Sequence, residues 1–80
     1  MSLNDKKRIA LRDMLISRRK ELNLTQAELA SKLSRPQSFV SKYESGERKI
    51  DAIELIELIQ CFGDSPANFI EKYCSILERK

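Results

Sequence analysis

The sequence predicts an all-α fold, a compact five-helix bundle, from three observations. Helix-start signals recur along the 80 residues: Thr25 with Glu28, Asp51 with Glu54, and Ser65 before Pro66. Residues that accept left-handed backbone, Asn23, Gly46 and Gly63, fall just beyond the apolar runs of the first, third and fourth expected helices. No stretch shows the strict apolar–polar alternation of a half-buried strand.

The first helix is expected from Asp5 to Leu22, with Ile9, Leu11, Met14, Leu15 and Leu22 along one face, and Asn23 at its end. The second begins after Thr25, whose hydroxyl and the Glu28 carboxylate form a capping box, with Leu24 and Leu29 as a hydrophobic staple. Ala27, Ala30 and Leu33 continue its inward face, and it stops near Ser34. Pro36 suits the first turn of a third helix, where a missing N–H is harmless. Val40 and Tyr43 face the core there, while Gln37, Ser38, Ser41 and Lys42 share an outward surface. Gly46 closes that helix after Ser45. The Asp51–Glu54 box opens a fourth, whose Ile53, Ile56, Ile59 and Phe62 predict a broad buried stripe ending at Gly63. Ser65 and Pro66 open a fifth, rich in apolar groups at Phe69, Ile70, Tyr73, Cys74, Ile76 and Leu77.

Composition removes most other chemistries. The chain has no His, the commonest general base and metal ligand, and no Gly-rich phosphate loop. Two cysteines, Cys61 and Cys74, are too few and too scattered for a disulfide framework or a metal knuckle, and read as small buried hydrophobes. The expectation is therefore no enzyme, no cofactor and no metal. No apolar run approaches the roughly 20 residues of a bilayer span. The charged start Asp5-Lys6-Lys7-Arg8 has no long apolar segment behind it, so a cytoplasmic protein without a secretory signal is expected. The net charge of +3 hides a polarity. Residues 1–50 carry 12 Lys/Arg against 6 Asp/Glu, and residues 51–80 carry 3 against 6. A basic first part suits a nucleic-acid face, although ordinary solvated helix surface would also carry it.

The second and third helices hold the functional pattern. Ala30 is small where the two must cross closely, and Leu33, Val40 and Tyr43 form the wedge between them, as a helix-turn-helix requires. The outward residues of the third helix are then presented together. Gln pairs bidentately with adenine, Lys reaches guanine acceptors, and Ser bonds a base edge or a phosphate.

Residues 15–63 resemble the helix-turn-helix domain of phage repressors, Cro proteins and their bacterial relatives, the Xre family. The run Leu24-Thr25-Gln26-Ala27-Glu28-Leu29-Ala30 resembles that family's second-helix signature. Residues 35–47, reading RPQSFVSKYESGE, are similar to a frequent form of its recognition helix and following turn. The resemblance implies a lambda-repressor-like DNA-binding domain over residues 1–80, with the helix-turn-helix at 25–45. It implies base contacts from Gln37, Ser38 and Ser41, and from Lys42, for which phosphate is an equal alternative. Phosphate contacts fall to Gln26, Arg48 and Lys49, and a structural ion pair to Arg19 and Glu44. Each polar residue has a plainer reading as solvated surface.

Two departures stand out. The family often has Gly in the turn after the second helix, where this chain has Ser34, at a cost of roughly 1 kcal/mol if the backbone is left-handed. Phe39 lies beside the base-reading positions, and packs against the loop before the fourth helix or touches a thymine methyl. The fifth helix, 65–80, lies largely outside the shared pattern. Its apolar residues serve a homodimer with the fourth helix, or Phe69, Tyr73 and Leu77 fold back over the first. The leading function is a sequence-specific transcriptional regulator, a repressor, with double-stranded DNA and a second copy as partners and no membrane. The alternative is a protein-binding adaptor or antitoxin-like module, with a protein partner on the C-terminal helix.

Overall fold

The computed structural model describes residues 2–78. Five helices follow in order: α1 Leu3–Glu21, α2 Gln26–Leu33, α3 Gln37–Ser45, α4 Ala52–Cys61 and α5 Pro66–Glu78. Among the described residues there is no strand, as the sequence predicts. Residues 79 and 80 of the expected fifth helix lie outside the described residues.

The capping signals act as expected. Thr25 Oγ1 accepts from Glu28 N at 3.0 Å while Glu28 Oε1 accepts from Thr25 N at 2.9 Å. The Asp51–Glu54 box repeats the pattern at 2.8 and 3.0 Å, and Ser65 Oγ accepts from Asn68 N. A further box, Ser2 with Asp5, starts α1 at Leu3 rather than Asp5, since Asp5 is the third helical residue that reaches back to the cap. Pro36 occupies the cap position of α3, one residue earlier than expected. Asn23 and Ser34 both hold left-handed backbone, at φ 58° and 56°. Ser34 therefore takes a left-handed turn conformation without being glycine.

Leu15, Leu29, Val40, Tyr43, Leu58 and Ile59 form the fully buried centre, closed by Phe39, Phe62 and Phe69. Ala30 is 2% exposed, which lets α2 lie close across α3. Tyr43 fills the middle of this core, and its hydroxyl has no hydrogen-bond partner among the described residues. Burial pushes that phenol's pKa up, with the Glu44 carboxylate adding to the effect. Arg18 ties α1 to the α4–α5 turn through two hydrogen bonds to Asp64, at 2.7 and 2.9 Å.

Several burial expectations need correction. Ile53 and Ile56 are 69% and 44% exposed. Steps of three residues turn about 300°, so such a series drifts around the helix instead of tracking one face. The buried face of α4 is Leu55, Leu58, Ile59 and Phe62. Ala27 is exposed in the first turn of α2. Cys61 is half-buried against the core, whereas Cys74 is exposed on the outer side of α5. Phe69 is buried and Tyr73 is half-buried, its hydroxyl donating to the Lys7 carbonyl at 2.7 Å. The fold-back alternative for α5 is thus the observed one for these two residues. No helix among the described residues is long and apolar enough to cross a membrane.

Candidate nucleic-acid interface

The surface is built around α3. Val40 and Tyr43 are fully buried, which fixes the helix's rotation about its own axis. The opposite face then carries Gln37, Ser38 and Lys42 exposed, with Ser41 half-buried between them. Gln37 and Ser38 lie in the first turn. The Ser41 hydroxyl donates to the Ser38 carbonyl at 3.3 Å, which leaves its oxygen as an acceptor. Among the described residues, the side chains of Gln37, Ser38 and Lys42 make no hydrogen bond or ion pair to the protein.

A first cluster holds the C-terminal end of α3. Arg19 donates to both Glu44 oxygens, at 2.7 and 3.0 Å, and its third contact is the Leu24 carbonyl at 2.7 Å. Gln26 Nε2 donates to the same Glu44 at 2.9 Å. One carboxylate thus joins α1, α2 and α3. The two charged side chains are 10% and 7% exposed, so the expected ion pair is present and nearly buried. Its hydrogen bond to Glu44 raises the Arg19 pKa further.

A second cluster holds the N-terminal half of α3. Phe39 lies between two guanidiniums, with Arg35 4.7 Å and Arg48 4.9 Å from the ring centroid. Arg48 forms a bidentate pair with Glu54 at 2.8 and 2.7 Å, and Arg35 reaches Glu57 at 3.1 Å. Arg35 also lies 3.6 Å from Glu54. Glu54, 6% exposed, has its pKa lowered to about 2, chiefly by the Arg48 hydrogen bonds. Phe39 is therefore packed against the loop before α4, which decides between its two sequence readings. Arg48 keeps two of its five N–H groups outside these bonds, because Nη1 also donates to the Lys49 carbonyl. Lys49 is exposed beside it.

The sequence pairs Arg19 with Glu44 through the family resemblance and assigns Gln26 to phosphate; the Gln26–Glu44 hydrogen bond, Arg35 and the second role of Glu54 emerge only in the structure. A signal existed. Arg35 stands in the turn before α3, four residues ahead of Phe39, and Glu54 and Glu57 offer two carboxylates three apart on one face of α4.

A family described as Helix-turn-helix matches residues 15–69. Among solved structures, an XRE-family like protein from Pseudomonas syringae pv. tomato str. DC3000 superposes with a TM-score of 0.88. It is 38% identical, over 92% of this chain and 90% of its own. No curated protein matches the chain. The five-helix architecture agrees with the structural match. The chain belongs to the XRE family of helix-turn-helix proteins, DNA-binding transcription regulators.

Proposed function

We propose that the protein is a sequence-specific regulator that reads a palindromic operator as a homodimer, with α3 in the major groove, and that it acts as a repressor. One observation carries the reading. Among the described residues, the side chains of Gln37, Ser38 and Lys42 on the outward face of α3 have no protein partners, while charged clusters hold the helix at both ends. A rigid helix with unspent donors and acceptors suits base readout, which needs side chains positioned before binding.

Gln37, Ser38, Ser41 and Lys42 supply the base contacts. Gln26 contributes to phosphate binding from the start of α2, where its second amide hydrogen and the free backbone N–H groups of the first turn remain available. Lys49, with the remaining N–H groups of Arg48, binds backbone on the other side. The second copy docks on α4, where Ile53 and Ile56 are exposed one turn apart. Large apolar groups paired this way favour burial against a like surface. Such a dimer would space its reading helices by about 34–36 Å, one helical turn of DNA. Occupying promoter DNA is itself enough to exclude other proteins from it, which favours repression.

Enrichment of random-sequence duplexes at near-physiological salt tests the proposal. A recovered palindrome with half-sites one helical turn apart is the expected result. Sequence-blind retention that salt abolishes would overturn it. Sedimentation of Ile53→Glu/Ile56→Glu tests the dimer, and an unchanged association state would remove α4 from the interface.

A further inference from the structure

A groove outside the helix-turn-helix opens between the first half of α1 and the loop that joins α3 to α4. Its lining includes Arg8 and Arg12 from α1, Gly46 at the end of α3, and Arg48 and Lys49 from the loop. Asp5 is the one acidic side chain in the lining, and it is engaged at the α1 cap with Ser2. At about 700 Å³ the groove falls in the size range of small-molecule sites. Its polar lining is predominantly cationic, which selects an anion.

Two features make this more than scattered surface charge. Among the described residues, Arg8 and Arg12 form no ion pair and no side-chain hydrogen bond, whereas Arg18, Arg19, Arg35 and Arg48 all do. Arg12 is also half-buried and held in place. Its guanidinium lies flat against Gly46, where an added Cβ would come within 3.0 to 3.2 Å of three guanidinium atoms. Gly46, already left-handed at φ 89°, leaves the space that Arg12 occupies. A guanidinium placed this way, with its N–H groups unspent, is prepared for bidentate contact with a phosphate.

We infer that this groove binds the phosphodiester backbone of DNA beyond the base-read half-site, with Arg8 and Arg12 as its phosphate ligands. The inference rests on the DNA-reading role proposed above, because Lys49 joins the groove to the backbone contacts assigned there. It lengthens the footprint without adding sequence information, since phosphate contacts are the same for every sequence.

The test is the salt dependence of duplex binding by the wild type and by Arg8→Ala/Arg12→Ala, on the enriched sequence and on an unrelated one. Each lost phosphate contact lowers the slope of log K against log salt by about 0.9. The double variant should therefore lose about 1.8, making its decline between 50 and 200 mM salt roughly tenfold shallower. The loss should be equal on both sequences, and Arg8→Lys/Arg12→Lys should restore most of the slope. Backbone cleavage protection should retreat by the outermost positions of the site. A thermal midpoint matching the wild type shows the variant folded. A selective wild type whose slope and footprint survive the double substitution overturns the groove assignment alone. A wild type that retains no duplex overturns it together with the DNA-reading role. Inorganic phosphate titrated against the wild type separates the remaining source. Saturable shifts at Arg12, with duplex slopes unchanged in the variant, would assign the groove to a free anion and contradict the inference.

Discussion

The two ends of α3 are held by the same chemistry in different surroundings. At the C-terminal end, Arg19 and Glu44 are almost wholly buried, and Gln26 and the Leu24 carbonyl use further hydrogen-bonding capacity. At the N-terminal half, Glu54 is buried but its partners Arg48 and Arg35 are 40% and 33% exposed, flanking Phe39. The first cluster is thus a structural joint, closed to solvent. The second is a joint with one side facing outward, where the cations serve the fold and remain exposed to solvent. A bidentate ion pair alone does not reveal which role it has; the exposure of its partners does.

The largest expected effect breaks the closed joint. Arg19→Ala leaves Glu44 buried without its cation, and should cost roughly 3–5 kcal/mol in urea unfolding. Replacing both partners, as Arg19→Met/Glu44→Leu, should recover much of that loss, because no uncompensated charge remains. A cost for Arg19→Ala below about 1 kcal/mol would place this pair with solvated surface pairs and erase the contrast.

The open joint should yield less. Glu54→Ala removes charged hydrogen bonds but frees two arginines into water, for an expected loss of roughly 1.5–3 kcal/mol by the same measurement. Proton linkage sharpens this. The Glu54 pKa falls from an ordinary 4.5 to about 2 in the folded protein. Its contribution is complete above 4.5 and is lost as pH falls through that window toward 2. Thermal melts of Glu54→Gln should decline less steeply than wild type over that range. Residual decline is expected, because Asp64 and Glu28 are shifted in the same direction by Arg18 and by the Thr25 backbone N–H. Parallel curves would remove Glu54 from the acid response.

The smallest effect lies in the turn between the joints. Ser34→Gly relieves left-handed strain and should raise stability by up to about 1 kcal/mol, less the extra freedom glycine gives the unfolded chain. A lower melting temperature would show that Ser34 is not strained there.

The closed joint and the starts of α2 and α4 are legible in the sequence, and the open joint is not. Capping boxes are local, so Thr25–Glu28 and Asp51–Glu54 can be read without tertiary structure. Arg19 and Glu44 came from the family resemblance, which carries a contact across 25 residues that spacing cannot. Glu54 was read only as a cap, because one carboxylate serving both the α4 start and Arg48 depends on where the loop brings the guanidinium. Ile53 and Ile56 misled because apolar residues three apart look like a stripe over one turn and drift over two. The proposed readers Gln37, Ser38, Ser41 and Lys42 are visible in the sequence as a face of α3, since buried Val40 and Tyr43 set its rotation. Their bases are specified by DNA, and the chain alone does not encode them.

The claim that α3 is the reading element is tested most directly by a base-substitution profile. Binding of wild type and Gln37→Ala would be measured against every single-base variant of the enriched site. The account predicts that Gln37→Ala loses about 1–3 kcal/mol of discrimination at one position per half-site and keeps the rest of the profile. An unchanged profile, or a uniform loss at every position, would contradict it.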